Sequence, residues 1–390
     1  MSEWKEYKLG DVCTELSDGL HKAPIFKEGG DYIFVNAKNI ANGYIVDNDP
    51  TKKSTHDEYL RYSSPLNNTT ILYSIDGTIG NIALYRGEKC ILGKGACYIN
   101  PNPQILDRMF LYYTLQSPHF NAYIDQMSTG STIQHISLKT MRNYVFTCPS
   151  LDEQKRIASI LSSLDDKIDL LNRENATLEA MAETLFRQWF IEEAKEDWEE
   201  KSLSDCIMLI GGGTPKTSES NYWNGSICWL SGGDIANNHK GFVLATEKRI
   251  SDEGLNNSSA KLLPENAMVV SARGTVGKYC LLSKPMAFSQ SNYGIMPKYD
   301  NCFFFNYLLI AYHIDELQSA AYGSVFDTIT TKSFEGVYVA LPQDKDFIIE
   351  FEKMAESYFS KMKNNALQIQ SLARTRDLLL SKLMSNEINL

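Results

Sequence analysis

Histidines, cysteines, carboxylates and glycine-rich turns are where chemistry would show first in this chain of 390 residues. The six histidines (His21, His56, His119, His135, His239, His313) stand at no metal-ligand spacing, so no metal site is expected. The eight cysteines (Cys13, Cys90, Cys97, Cys148, Cys206, Cys228, Cys280, Cys302) form no Cys-x-x-Cys and mostly sit among apolar neighbours. That pattern fits buried thiols in a reducing cytoplasm better than disulfides or zinc. Gly87 to Gly93 followed by Lys94-Gly95 has the composition of a phosphate loop, but its spacing is wrong and no Ser or Thr follows the lysine. Gly211-Gly212-Gly213-Thr214-Pro215 lacks G-x-G-x-x-G and reads as a flexible surface loop. Asn100-Pro101-Asn102-Pro103 departs from the Asn/Asp-Pro-Pro-aromatic tetrapeptide of adenine and cytosine amino-methyltransferases. Carboxylates are plentiful yet show no paired pattern for acid–base work. Every catalytic class tested in this way is missing its motif, which makes binding the leading role.

What the chain does have is repetition. Trp4-Lys5-Glu6-Tyr7-Lys8-Leu9 returns as Trp198-Glu199-Glu200-Lys201-Ser202-Leu203, 194 positions on. Ile71-Leu72-Tyr73-Ser74-Ile75-Asp76-Gly77-Thr78-Ile79-Gly80 returns as Met268-Val269-Val270-Ser271-Ala272-Arg273-Gly274-Thr275-Val276-Gly277, with an offset of 197. Gly130-Ser131 and Pro149 return as Gly323-Ser324 and Pro342, with an offset of 193. The period is far longer than the roughly 20–50 residues of a solenoid repeat. A tandem duplication of a whole domain suggests two similar sites and a two-part target.

Length and composition agree. A chain this long is most often two or three domains, and a hydrophobic fraction of 43% is ordinary for a globular protein. It opens without an apolar signal region, and no run of about 18 apolar residues could span a membrane, so a cytoplasmic location is expected. The net charge of −10 is unevenly spread. Residues 1–150 carry 14 basic and 15 acidic side chains, net −1; 151–197 carry 6 and 12, net −6; 198–342 carry 11 and 14, net −3; 343–390 carry 7 and 7, net 0. Such a balance is not the basic footprint of a protein that holds nucleic acid alone.

Each half reads as a strand-rich region followed by a long helix. In the first, Tyr32–Val35 and 70–74 are short runs of β-branched and aromatic residues bounded by turn formers, Arg108 to Gln116 is helical, and Tyr144-Val145-Phe146 closes the region before Pro149. The second repeats this order with 227–230, 267–270, 307–310 and 337–340. After Pro149, Leu151-Asp152-Glu153-Gln154 starts a helix with acid in its first turn. Its apolar seam runs Leu164, Ile168, Leu171, Asn175, Leu178, Ala182, Leu185, Trp189, in alternating steps of four and three. The second helix repeats those steps through Phe351, Ala355, Tyr358, Met362, Asn365, Ile369, Leu372, Arg376, Leu379 and Leu383. A heptad kept this long favours an intramolecular coiled coil over each helix packing only on its own domain. One asparagine interrupts each seam, Asn175 and Asn365; it either fixes register or marks a frayed point.

These residues resemble the specificity (S) subunit of type I restriction–modification enzymes over essentially the whole chain. The most specific piece is Pro149-Ser150-Leu151-Asp152-Glu153-Gln154-Lys155-Arg156-Ile157-Ala158-Ser159-Ile160-Leu161, similar to the signature where a target recognition domain passes into its conserved helix. Leu185-Phe186-Arg187-Gln188-Trp189-Phe190 resembles that helix's end, and the strand–Gly-Thr-Ile/Val-Gly motif and Gly130-Ser131-Thr132 are also typical. The second copy departs, with Gln343-Asp344-Lys345-Asp346 in place of the Glu-Gln element and Gly323-Ser324-Val325 in place of Gly-Ser-Thr.

The resemblance implies an α+β fold: two repeated target recognition domains joined by two long antiparallel coiled-coil helices, with pseudo-twofold symmetry. The expected boundaries are 1–150 and 195–342 for the recognition domains, and 151–194 and 343–390 for the spacer helices. It implies a non-catalytic subunit whose domains each read one half of a split, asymmetric site in double-stranded DNA. Two methyltransferase subunits would dock on the helices and bring S-adenosylmethionine, the chain itself holding no cofactor, and a motor–nuclease subunit can join. A spacer of about 55–60 Å could hold two readers roughly one turn of DNA apart. Base readout needs polar side chains on loops. The candidates are Lys22, Asn36, Lys38, Asn39, Arg86, Thr132, Gln134 and His135 in the first domain, and Thr214, Lys216, Asp234, Arg273, Gln290, Asn292 and Ser324 in the second. Tyr44, Tyr222 and Trp223 could stack or wedge. Gly77, Gly80, Gly274 and Gly277 read as turn formers. The alternative is a two-lobed protein-interaction scaffold without DNA recognition.

Overall fold

Ile71–Ser74 and Met268–Ser271 are continuous apolar runs, and both are buried at every position. Such strands belong at the centre of a sheet. In the computed structural model, which describes residues 4–49, 51–128, 135–299, 301–322 and 328–388, each lies in the interior of a sheet. The chain divides into two compact units, Met1–Lys167 with Leu372–Leu390, and Ile168–Ser371. Each unit thus draws on part of both long helices.

The first unit has a four-stranded antiparallel sheet in the order Cys13–Asp18, Ala96–Pro101, Ile71–Ser74, Ile82–Leu84. A second sheet places Tyr32–Val35 between Lys53–Ser54 and Cys90–Leu92, the last pair parallel. A two-stranded ribbon pairs Lys5–Lys8 with Val145–Cys148. The second unit repeats this plan. Its main sheet runs Ile207–Gly211, Asn292–Pro297, Met268–Ser271, Tyr279–Leu282, with Phe242–Val243 added at the edge. Trp223–Leu230 lies between Lys248–Ile250 and Met286–Phe288, again parallel to the latter, and Glu199–Ser202 pairs with Tyr338–Leu341. Registers match too: Tyr73 faces Ile82 as Val270 faces Tyr279. The sequence duplication is therefore a duplication of strand order and register.

The first long helix is Leu151–Arg187, followed by a π-helical turn Gln188–Glu192. The second is Lys345–Met384. Within the first unit, Ile157, Ala158 and Leu161 share a core with Leu380 and Leu383. There Arg376 Nη1 donates to Asp165 Oδ1 at 2.7 Å, and Tyr113 Oη to Asp165 Oδ2 at 2.8 Å. Within the second unit, the Trp189 ring lies 4.9 Å from Phe347, and Asn175 meets Asn365. Residue numbers rise along one helix as they fall along the other, so the pair is antiparallel in each unit. Of the seam, Leu171, Ala182, Phe351, Ala355, Met362, Asn365 and Leu383 are buried, and Leu164, Ile168, Asn175, Leu178, Leu185, Trp189, Tyr358, Ile369, Leu372, Arg376 and Leu379 are half-buried. The same helices also pack on the domain: Ala182, Phe186, Phe190, Phe351, Ala355 and Phe359 lie in the second unit's core. Helix pairing and domain packing, set against each other in the sequence, share residues: Ala182, Phe351, Ala355 and Met362 belong both to the seam and to the second unit's core.

The joint between helix and domain explains the Glu-Gln element and its loss. Buried Gln154 accepts from Asp107 N at 2.8 Å and donates to Ile105 O at 3.0 Å and Pro149 O at 2.9 Å. It locks the start of the long helix onto the turn into the helix Arg108–Thr114, which Asp107 caps through Met109 N and Phe110 N. In the second unit the equivalent helix, Phe303–Tyr312, receives no side-chain bond from its N-cap residue Cys302. Glu352 on the long helix accepts from Phe304 N at 3.1 Å and Phe305 N at 2.7 Å instead. One joint is thus built with different residues.

Candidate nucleic-acid interface

In each unit three turns meet at one end of the sheets. In the first, Tyr32–Val35 runs into the 3-10 turn Ala37–Asn39, Ile71–Ser74 into 75–81, and Cys90–Leu92 into 93–95. Backbone bonds tie them: Gly93 N donates to Val35 O at 2.8 Å and Ile75 N to Gly95 O at 2.9 Å, while Asn81 Nδ2 lies 3.4 Å from Ala37 O. In the second, Trp223–Leu230 runs into the helix Gly232–Asn237, Met268–Ser271 into 272–278, and Met286–Phe288 into 289–291. Ser289 N donates to Leu230 O at 2.9 Å and Ala272 N to Ser291 O at 3.0 Å, with Thr275 Oγ1 3.4 Å from Gly232 O. A further segment reaches the same place in each: Ile136 N bonds Ile75 O at 2.9 Å, and Ile329 N bonds Ala272 O at 3.1 Å.

The Gly-Thr turns are built alike. Gly77 and Gly80 hold φ of +72° and +99°, Gly274 and Gly277 of +77° and +78°, conformations that favour glycine. Ser74 Oγ donates to Thr78 O at 2.6 Å and accepts from Asn81 N at 2.8 Å. Ser271 Oγ pairs with Thr275 Oγ1 at 2.9 Å. In the second unit Gln318 Nε2 also donates to Val276 O at 2.8 Å and props the turn from behind.

The triple-glycine segment is not the flexible loop expected from sequence. Gly213 is buried and accepts from Trp229 Nε1 at 2.9 Å, and its own N donates to Phe288 O at 3.0 Å. A Cβ on Gly212 would fall 2.2 Å from Ser289 O. Gly19 has the same place in the first unit, where a Cβ would fall 2.1 Å from Leu92 O. Close backbone approach, not mobility, requires these glycines.

The candidate readers fall into groups. Lys38, Arg273 and Gln290 are exposed on the three turns, and His135 is partly exposed beside them, its Nδ1 3.7 Å from Asp76 Oδ1. Lys22 is exposed two residues past Leu20, whose N bonds Leu92 O; Thr214 is half-buried and Lys216 exposed just past Gly213. Asn36, Asn39 and Asp234 serve the turns themselves. Asn36 Oδ1 accepts from Lys38 N at 3.0 Å, and buried Asn39 accepts from Asn36 N at 3.1 Å while donating to Val46 O and Asn48 Oδ1. Ser231 and Asp234 form the equivalent capping box, and Asp234 Oδ1 accepts from Glu247 N at 3.0 Å. Asn292, at 1% exposure, donates to Ser289 Oγ. Arg86 lies past the far end of Ile82–Leu84, where Nη1 donates to Gly43 O and Leu84 O and the guanidinium lies 4.2 Å over the Tyr44 ring. Trp223 donates to Lys216 O and packs edge-on against Trp229, and Tyr222 O accepts from Ser251 N. Thr132, Gln134 and Ser324 lie outside the described residues. Sequence reading missed Asp76 and Lys94; exposed Lys94 sits on the third turn, its Nζ 3.9 Å from Asp76 Oδ2.

No group of three or more His, Cys, Asp or Glu able to hold a metal occurs among the described residues. No helix among them is long and apolar enough to cross a membrane. The described cysteines form no disulfide, and burial pushes the Cys148 thiol up to about 11.

The model of the type I restriction modification DNA specificity domain matches this chain twice, over residues 1–180 and 195–355. The chain belongs to that family. It is 23% identical to the specificity subunit of the type I restriction enzyme HindI of Haemophilus influenzae, over 100% of both chains. It is 25% identical to the MjaIX specificity subunit of Methanocaldococcus jannaschii, over 99% of this chain and 94% of the other. Its fold is similar to the crystal structure of the type I restriction–modification S subunit from M. genitalium, with a TM-score of 0.60 at 17% identity, covering 98% and 96% of the two chains. The two matches to the specificity domain coincide with the two copies of the strand plan. On that common plan the residues presented on the turns differ: exposed Lys38 and Lys94 and part-exposed Asp76 in one copy, and exposed Gly233, Arg273 and Gln290 at the corresponding places in the other.

Proposed function

We propose that this chain is the non-catalytic DNA-reading subunit of a type I restriction–modification complex, each unit reading one half of a bipartite, asymmetric target. The observation that carries this reading is the divergence of exposed polar side chains on two copies of one rigid turn scaffold. A shared architecture with different hydrogen-bonding groups is what reading two different base sequences requires. The long helices dock two methyltransferase subunits, which bring S-adenosylmethionine and methylate adenine; a motor–nuclease subunit can join the same assembly. Phosphate neutralisation dominates affinity for DNA, and the two recognition regions, 1–150 and 198–342, carry net charges of −1 and −3. Partner subunits therefore supply much of the cationic surface, and the chain alone binds DNA weakly.

The test is a domain exchange. Residues 1–150 are replaced by the equivalent domain of another specificity subunit, the protein is co-expressed with its methyltransferase, and methylated sites are mapped. One half-site changes and the other is kept. If both change, or neither does, the reading of one unit per half-site is wrong; if no sequence is methylated preferentially by the unaltered complex, a plain protein scaffold is the better account.

A further inference from the structure

Asp76 and Arg273 occupy one place in two copies of the same turn. Ser74, Gly77, Thr78 and Gly80 correspond to Ser271, Gly274, Thr275 and Gly277 at a constant offset of 197, and so do Asp76 and Arg273. Both sit two residues past the central strand, just before the first glycine of positive φ. The scaffold around them is fixed by the turn bonds described above. Arg273 is exposed, and its guanidinium has no hydrogen bond or ion pair among the described residues. The Asp76 carboxylate is part-exposed, with Lys94 Nζ at 3.9 Å and His135 Nδ1 at 3.7 Å, beyond hydrogen-bond length in both cases. One turn position therefore presents a fixed cation in one unit and a carboxylate in the other.

Two equivalent scaffolds meet duplex DNA at equivalent points. A carboxylate is not tolerated against a phosphate, because like charges repel without a compensating bond. If these turns meet duplex DNA, a place that holds Asp76 faces base edges and not phosphate, and Arg273 occupies the same place. The groove chemistry then differs in a defined way. Arginine pairs bidentately with guanine O6 and N7, while a carboxylate accepts from an exocyclic amino group. Lys94, flanking Asp76, offsets its repulsion of the neighbouring phosphates. The counterpart of Lys94 in the second unit is uncharged Gln290 on the third turn, where Arg273 needs no such offset.

Resting on the bipartite reading above, we propose that this turn position sets one base in each half-site: Arg273 selects a guanine, and Asp76 selects a base presenting an amino group in the major groove, cytosine or adenine.

The experiment uses the specificity subunit assembled with its methyltransferase partner and a duplex library randomised across both half-sites. Methylation is read by sequencing for the unaltered complex and for Arg273→Ala, Arg273→Lys, Asp76→Ala and Asp76→Arg, each first shown to melt as the parent does. Arg273→Ala lowers guanine preference at one position of one half-site by about 5- to 150-fold, the range of one good bidentate contact, and leaves the other half-site intact. Asp76→Ala relaxes one position of the other half-site, and Asp76→Arg moves that position toward guanine. A uniform loss over all sequences with Arg273→Ala, with a salt slope smaller by about one, identifies a phosphate contact and overturns the proposal. Unchanged preferences in both alanine variants overturn it as well. An unaltered complex with no bipartite preference overturns the functional reading beneath it.

Discussion

Asn365 donates from Nδ2 to Asn175 Oδ1 at 2.9 Å, and the two asparagines that interrupt the apolar seams are each other's partners. Asn365 also donates to Glu174 Oε2 at 2.9 Å and is only 1% exposed. The sequence left open whether these residues fix register or mark a weak point; a paired, buried amide fixes register, because any slip along the seam would strand it without a partner.

Replacing Asn365 alone by leucine removes a partner from Asn175 and Glu174 and is expected to destabilise the second unit by about 1–3 kcal/mol. The double variant Asn175→Leu/Asn365→Leu is expected to recover that loss, since two apolar residues restore an uninterrupted seam. Urea denaturation of the single and double variants checks both; additive losses in the double variant would show that the pair is not coupled.

The Glu352 carboxyl is pushed up to about 7 from an ordinary 4.5, first by burial, against the backbone N–H bonds at the helix start that favour its charged form. Burial likewise raises Glu179, which accepts from Tyr307 Oη at 2.8 Å. An acid whose folded value lies above its unfolded value stabilises the fold fully below the unfolded value, and that contribution is lost as pH rises through the folded one. The second unit is therefore expected to lose stability between about pH 5 and pH 8, by about 1–2 kcal/mol from Glu352 after discounting for its partial exposure. Glu352→Gln is expected to flatten most of that slope. Melting curves across this range decide it; an unchanged slope in the variant assigns the effect to other groups.

Alanine at Gly19 or Gly212 places a methyl group about 2 Å from a backbone carbonyl oxygen, against which no side chain can yield. Each is expected to cost several kcal/mol and to separate the strand before it, Cys13–Asp18 or Ile207–Gly211, from the turns it braces. Gly77→Ala, with nothing within 4 Å of the added carbon but φ at +72°, is expected to cost only about 1 kcal/mol. Comparing the three by thermal denaturation separates backbone crowding from backbone conformation.

The repeat and the helical seam were legible because both are periodic: a kept offset and a step of four and three survive divergence of individual residues. The reader candidates were legible only by residue type, which does not separate a loop's own hydrogen bonding from its free groups. Asn39 and Asp234 illustrate this, since both close capping boxes. The spacing Asn36-x-x-Asn39 and Ser231-x-x-Asp234 after a strand carries that signal. Lys94 falls within a failed phosphate motif and Asp76 within the repeat, with no residue pattern of their own, although the offset that aligns the two Gly-Thr turns places Asp76 opposite Arg273. Gln154 was recognised as part of a signature, but its substitution by Glu352 from a different turn of the helix leaves no trace in a linear comparison.

The first compact unit takes in 372–390, with Leu380 and Leu383 in its core, whereas the second is one uninterrupted stretch of chain. During synthesis the second unit can finish as soon as Ser371 emerges, but the first must wait for residues made after its neighbour. The part of its core that Leu380 and Leu383 complete stays open for the time taken to translate everything between. At roughly 5–20 residues per second this interval is on the order of ten seconds or more, long enough for a half-finished domain to meet a chaperone or another nascent chain.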